Sequence, residues 1–391
     1  MTETFIYNEL KELALDNEVS VFSINRPRGV QASGANNDCK FVKSLRYLKF
    51  SSKDGINKYS TLSIFGEGAK NLVLCGYLPI MQRFRLFRYC YNEIQGKELS
   101  IRMFLDSLDI IKYVHDNGIT HIHCHFAERN VMIAYAIYAA TGIPYTFTMH
   151  GGDVYFYPPK NLKELASASK KLISVCEYNK QYLFTTFSIP LEKIKVISCG
   201  IDLEKFKQTS STKENQLVIL TVGRLITIKG HKFLVDACKI LKDKKIQFQC
   251  WIVGHGPEYE NLAKQINELN LVDYVHLLGP KDSNELIDLY NQSDVFVLPS
   301  LSEASPTVLK ESLACETPVI ATNINGIPEI VEHNYNGVLV DPEDSWQIAK
   351  SIIKLTDDVY RKKLISNSRE RILSDFNLKK NTYKLKNIFE T

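Results

Sequence analysis

Two carboxylates stand eight positions apart in LPSLSEASPTVLKESLACETPVIA (298–321): Glu303 and Glu311, with Ser305 and Pro306 between them. Ser305 is a favoured N-cap type and Pro306 a favoured first helical residue, so a helix is predicted to start at Pro306. Its unpaired N–H groups would form an anion site. Glu311 falls about 7–8 Å deeper along that helix while Glu303 precedes it, so the two carboxylates bracket a phosphate. In TVGRLITIKGHKFLVDA, Arg224 follows Gly223 at the end of a strand and Lys229 comes just before a helix. A guanidinium fork and an ammonium so placed suit a diphosphate; the competing reading is a solvated loop carrying surface charge. Taken with the two glutamates, the pair fits a ligand with hydroxyls on both sides of a diphosphate. Glu311 would take ribose hydroxyls and Glu303 those of a sugar, which is the layout of a nucleotide-sugar.

Other segments carry chemistry less specifically. WIVGHGPEYENL places Gly254 and Gly256 after a strand, but Tyr259 occupies the third-glycine position of a dinucleotide fingerprint. It reads as a tight turn allowing close approach of a ligand or backbone, and hydride transfer is not supported. YTFTMHGGDVYFY ends a strand at Met149 and presents His150, two glycines and Asp153. His150 is placed to donate to a sugar hydroxyl or phosphate, and a capping or core role is the alternative. In HIHCHF, His121, His123 and His125 share one strand face; packing and hydrogen bonding outweigh metal ligation there, since no second ligand cluster accompanies them. MQRFRLFRYCYNEIQGKEL interleaves Arg83, Arg85 and Arg88 with aromatic residues, suited to anionic lipid or an anionic acceptor, with a solvated amphipathic face as the other reading. No nucleic-acid recognition motif accompanies the charge.

The elements that must position these residues follow from periodicity. The 391-residue length suggests two domains, and a composition 45% hydrophobic and 24% charged is that of a globular protein. Nine cysteines without a CxxC pair read as reduced thiols, which points to the cytoplasm. MTETFIYNELKEL lacks a basic secretory n-region and no apolar run is long enough to span a bilayer. Residues 1–200 hold 24 basic and 18 acidic side chains and the remainder 24 and 26, so the net charge of +4 originates in the first half. Short apolar runs at 217–222, 248–253, 274–278, 294–299, 317–322 and 337–340 alternate with helical-period segments such as 231–241, the pattern of βα units around a parallel sheet. Runs at 19–24, 71–76, 119–126, 144–149, 171–176 and 195–200 repeat it less regularly. The expected organisation is an N-terminal α/β domain over 1–200, a polar linker over 201–216, a second α/β domain over 217–375 and a C-terminal helical segment over 376–391 packing back toward the first domain. Ligands of such sheets bind beyond the carboxyl ends of the strands, where the residues singled out above fall.

GRLITIKG, VGHGPE, SEASPTVLKESLACETPVIAT, NGIPEIV and NGVLVDP resemble the C-terminal domain of retaining glycosyltransferases of family 4, which have the GT-B fold of two Rossmann-like domains facing across a cleft. ETFIYNEL, HIHCHF and GIPYTFTMHGGDVY are similar to the bacterial exopolysaccharide branch, of colanic acid and amylovoran type. The resemblance implies that Arg224 and Lys229, with Gly223 and Gly254 beside them, hold the donor diphosphate, and that Glu311 binds ribose. It implies that Glu303 contacts the transferred sugar, that amides of Ser305, Pro306, Thr307 and Val308 lie around sugar and phosphate, and that His150 binds the sugar from the opposite domain. It implies a metal-independent reaction without a cofactor, in which the leaving phosphate assists deprotonation of the acceptor. The expected partners are a nucleotide-sugar and a glycan or lipid-linked glycan acceptor, with peripheral contact to the inner face of an anionic membrane. Two departures stand out: no strand precedes ETF, and Ala304-Ser305-Pro306 replaces the frequent Gly-Phe-Gly after the first glutamate. The rival expectations are a catalytically silent GT-B subunit and a GT-B phosphorylase or synthase acting on soluble sugars.

Overall fold

The computed structural model describes residues 4–23, 44–47, 97–209 and 216–391. The predicted strand at 71–76, Arg83, Arg85 and Arg88, and residues 210–215 of the polar stretch lie outside the described residues. The backbone divides into two compact units, one comprising Met1–Val175, Lys180–Ile197 and Tyr383–Thr391, the other Cys176–Asn179 and Ser198–Thr382.

In the first unit, helix α1 (Thr4–Leu13) precedes strand β1 (Ser20–Ser23), which pairs in parallel with β2 (Ser44–Tyr47). The sequence SLRY of β2 has little β-branched character, and periodicity alone does not reveal it. After α2 (Lys97–Asp116), strands β3 (Ile122–His125), β4 (Tyr145–Met149), β5 (Lys171–Ser174) and β6 (Ile194–Val196) form a four-stranded parallel sheet in the order β3-β4-β5-β6, with α3 (Arg129–Thr141) as the first crossover. Every residue of β4 is buried, as expected of a central parallel strand covered on both faces. One apolar layer joins Leu105, Leu108 and Ile111 of α2 to Ile133 and Ile137 of α3.

The second unit contains β7 (Leu217–Val222), α4 (His231–Asp243), β8 (Phe248–Val253), α5 (Tyr259–Glu268), β9 (Val275–Gly279), α6 (Ser283–Gln292), β10 (Val295–Leu298), α7 (Thr307–Ala314), β11 (Val319–Thr322), β12 (Val338–Val340), α8 (Ser345–Lys354) and α9 (Asp358–Asp375). Helix α10 (Leu378–Glu390) follows and enters the first unit at Tyr383. Successive residues of a strand point to opposite faces: Val295 and Val297 join the layer formed with Leu234, Cys238 and Leu241 of α4, whereas Phe296 and Leu298 pack with Leu309 and Leu313 of α7. The helical face expected within 231–241 is the buried face of α4. The strand order is β12-β11-β10-β7-β8-β9, all parallel. Connections run outward in one direction from β7 and in the other from β10, so the topological switch point lies between these two strands. In an open α/β sheet the ligand crevice opens there, beyond the carboxyl ends.

Phe206, within the predicted polar stretch, is buried against Tyr290 of α6, and Thr209 N–H donates to Asn291 Oδ1 at 2.7 Å. No helix among the described residues is long and apolar enough to cross a membrane.

Candidate functional site

The switch point of the second unit is where the sequence places its cations and carboxylates. Gly223 and Arg224 follow β7, and the turn Thr227–Lys229 leads into α4. Leu301 N–H donates to Ile228 O at 2.7 Å, tying this turn to the segment after β10. Gly230 at φ +64° makes the approach possible, since a Cβ there would lie 2.0 Å from Pro299 O. Gly254, at φ +144°, likewise admits the β7 loop, because its Cβ would lie 1.8 Å from Gly223 O. The close approach read from the GxG is thus one of backbone to backbone.

This packing brings Lys229 Nζ to 2.5 Å from Glu303 Oε1, which also accepts from Ser300 Oγ at 2.8 Å. Both side chains of the ion pair are largely buried, 20% and 10% exposed, so the pairing is less screened than at a surface. Arg224, directly after Gly223, is exposed, its guanidinium without a partner among the described residues. His231, which sequence reasoning passed over, brings its Nε2 to 3.7 Å from the point a Cβ would occupy at Gly223. It is buried, which pulls its pKa down to about 4, so it is neutral at physiological pH.

Glu311 lies on the inward side of α7, 9% exposed, and its Oε2 accepts from the Tyr290 hydroxyl at 2.9 Å. Burial raises its pKa to about 7, against the opposing effects of the Tyr290 hydrogen bond and neighbouring Lys310. A carboxylate removed from water is disfavoured unless hydrogen-bond donors surround it, and one phenol is an incomplete set. Tyr290 had no signal in the sequence: it lies one helix earlier, and only the α6–β10–α7 fold brings it to Glu311.

The helix start differs from expectation. Thr307 is the first residue of α7, Pro306 occupies the N-cap in extended conformation, and no side chain caps the helix. The reason is a competing interaction. The Ser305 hydroxyl lies 2.9 Å from Ser198 Oγ and accepts from Lys310 Nζ at 2.6 Å. The ammonium also donates to Cys199 O at 2.8 Å and Ser198 Oγ at 3.1 Å and lies over the Phe376 ring. Lys310 is fully buried, and that burial lowers its pKa to about 8. A buried ammonium that lost its acceptors would be costly, so Ser305 is retained by Lys310 and the amides at the start of α7 keep no side-chain cap.

In the first unit, β3 and β4 set a separate cluster. His123 Nδ1 and Nε2 lie 2.7 Å and 3.1 Å from the Thr146 and Thr148 hydroxyls, and His121 Nε2 lies 2.9 Å from Thr146 Oγ1. His123 is the register partner of Thr146, and the other two contacts are diagonal, from His123 to Thr148 and from His121, just before β3, to Thr146. Glu9, His123 and His125 bring ligand atoms within 4.8 Å of one another, but both nitrogens of His123 already face hydroxyls. His150 follows β4. Asp153, buried, accepts from the backbone N–H groups of His150 at 2.9 Å, Gly151 at 3.1 Å and Ala127 at 2.9 Å, so one carboxylate ties the loops after β3 and β4 together. Burial holds the His150 imidazole well below its ordinary pKa.

Residues 202–371 match the family Glycosyl transferases group 1, and residues 81–205 match Glycosyltransferase Family 4. The chain is 32% identical over 207 residues to the amylovoran biosynthesis glycosyltransferase AmsK of Erwinia amylovora, covering 50% of each chain. It is 28% identical over 290 residues to the UDP-Gal:alpha-D-GlcNAc-diphosphoundecaprenol alpha-1,3-galactosyltransferase of Escherichia coli, covering 68% of this chain and 74% of that one. The alignments span about half the length of the first curated relatives. A glycosyltransferase structure from Rickettsia africae ESF-5 superposes with a TM-score of 0.74 at 20% identity, over 100% of this chain and 94% of that one.

Proposed function

We propose, from the group 1 and family 4 glycosyltransferase domains that the chain matches in tandem and from its GT-B fold, that it transfers a sugar from a nucleotide-diphosphate sugar to a glycan or lipid-linked glycan with retention of anomeric configuration. The observation that carries this reading is the set of charges at the switch point: exposed Arg224, Lys229 paired with Glu303, and Glu311 held by Tyr290. Without a donor, Lys229 and Glu303 neutralise each other. A diphosphate recruits Lys229 together with Arg224 and the first amides of α7, next to Gly223 and Gly254, and this frees Glu303 for the hydroxyls of the sugar. Glu311 accepts from ribose hydroxyls, gaining the second donor that its buried carboxylate lacks. His150 is assigned to a hydroxyl of the sugar.

In the reaction an acceptor hydroxyl oxygen bonds to the anomeric carbon as the bond to the phosphate oxygen breaks. The electron pair leaves with the nucleoside diphosphate, and the hydroxyl proton passes to the departing phosphate. The two cations and the amides of Ser305, Thr307 and Val308 stabilise the charge that develops there, the kind of preorganised electrostatics that dominates many enzymes. No metal is assigned to this step. A nucleotide-sugar donor and a lipid-linked acceptor figure in the printed name of the Escherichia coli relative, which supports the same classes here.

The test is thermal stability with UDP-, GDP- and ADP-sugars in the absence of metal, for the wild type and for Arg224→Ala and Glu311→Ala. One nucleotide class is expected to raise the melting temperature, by about 2.7 kcal/mol of added stability at a hundredfold excess over Kd. Each substitution is expected to weaken that binding about tenfold or more, the scale of a lost charge-assisted hydrogen bond. A folded protein that responds to no donor rules out this site.

A further inference from the structure

A line of polar atoms runs from α1 to the loop after β4. Glu9 Oε1 lies 3.1 Å from His125 Nε2, and the other nitrogen of that ring, Nδ1, lies 3.3 Å from His150 Nε2. Glu9 Oε1 is buried and meets no donor in hydrogen-bonding geometry among the described residues, so His125 Nε2 stands against it at ion-pair distance. Building on the reading that His150 faces the transferred sugar, we propose that Glu9 and His125 are positioning residues that fix His150 as its Nε2–H tautomer.

The argument is one of donors and acceptors. A carboxylate only accepts, so His125 turns a protonated Nε2 toward Glu9. A neutral imidazole protonated on Nε2 has a lone pair on Nδ1, and only a donor fits opposite it; that donor is the Nε2–H of His150. The orientation of each ring is set by the group beyond it, as in the carboxylate–imidazole pairs of many active sites.

Packing fixes the rings as well as the protons. Phe5 and Phe126 place their centroids 4.9 Å and 4.6 Å from that of His150, and the His125 ring stacks at 5.6 Å. Phe5 and Glu9 are one turn apart on α1 and so share a face, and a single helix supplies both the apolar contact and the carboxylate. Phe126 adopts φ +66°, a conformation that costs a bulky residue free energy. It is held there by its N–H donating to Thr148 O at 2.9 Å. A cation in this cluster is the weaker account, because His123 directs both nitrogens to threonine hydroxyls and only Glu9 and His125 would remain.

The experiment is a long-range proton–nitrogen correlation spectrum of the full chain labelled with ¹⁵N-histidine, recorded without ligand near pH 8 and assigned with His125→Phe and His150→Asn. In the wild type, His125 and His150 are both expected as Nε2–H tautomers. In Glu9→Ala and in His125→Phe, His150 is expected to shift to a mixture of tautomers, and Glu9→Asp to restore part of the wild-type pattern. A wild-type His150 carrying its proton on Nδ1 overturns the proposal, as does a His150 pattern unchanged in both variants when circular dichroism shows them folded. The wild-type spectrum decides the matter even if a variant fails to fold. Because no donor is present, the result stands apart from the sugar-contact reading, which is tested by adding UDP-glucose, GDP-mannose and ADP-glucose and following the same His150 signals.

Discussion

Glu311, proposed to bind the donor ribose, ties the candidate site to the stability of its unit. Its ordinary pKa is 4.5 and burial lifts it to about 7 in the folded protein. Between those values the unfolded chain gives up the proton that the folded chain keeps, so raising the pH favours unfolding; above about 7 the penalty is constant. A shift of that size corresponds to about 3 kcal/mol. Glu311→Gln keeps an acceptor for the Tyr290 hydroxyl and removes the titration. Urea unfolding at pH 5 and pH 8 is expected to show the variant gaining up to about 3 kcal/mol on the wild type across that interval while losing donor binding. Parallel pH profiles for the two proteins would disprove the assignment. The positions of Arg224, Lys229 and Glu303 between a strand end and the next helix were legible from periodicity, and that of Glu311 from its place in the helix after Pro306. Tyr290 and Lys310 were not, because their partners are set by packing between elements rather than by spacing along the chain.

Glycines at the switch point act at the level of elements. Gly254 combines a left-handed φ with contact to the Gly223 carbonyl at a distance no Cβ can occupy, so Gly254→Ala must separate the loops after β7 and β8. The expected cost exceeds about 2 kcal/mol, from backbone strain and displaced packing together. It would be read as a lower urea midpoint with an unchanged m-value, and a midpoint equal to that of the wild type would show that the loops can part freely. The strands of the second unit were legible because its buried parallel strands are continuous apolar runs bounded by turn residues; β10 and β11 are buried throughout. Boundaries shifted by a residue or two where a proline or aspartate preceded the strand, as at 294 and 317–318. The N-cap at Ser305 was misread because local preference was outweighed by a buried ammonium five residues later, an example of tertiary interaction overriding sequence propensity.

For the molecule as a whole, charge is unevenly distributed, with the excess of basic side chains confined to residues 1–200. A polybasic surface gains about 1 kcal/mol per lysine or arginine near anionic lipid, and salt screens the gain. If the acceptor is lipid-linked, the protein is expected to cosediment with phosphatidylglycerol vesicles at low ionic strength and to be released by 0.5 M salt. Protein left wholly in the supernatant at low salt would remove the membrane from the proposed function. The order of the chain has a further consequence, for synthesis. Leu385 packs with Ile173 and Ile197, and Phe389 stacks on His121 at 4.6 Å, although both follow every strand of the second unit in sequence. On the ribosome, domains fold largely as they emerge, yet the sheet carrying the histidines must wait with that flank uncovered until the whole second unit has been translated. The nascent first unit is therefore a natural client for a chaperone throughout the interval, and the last helix serves as the latch that ends it.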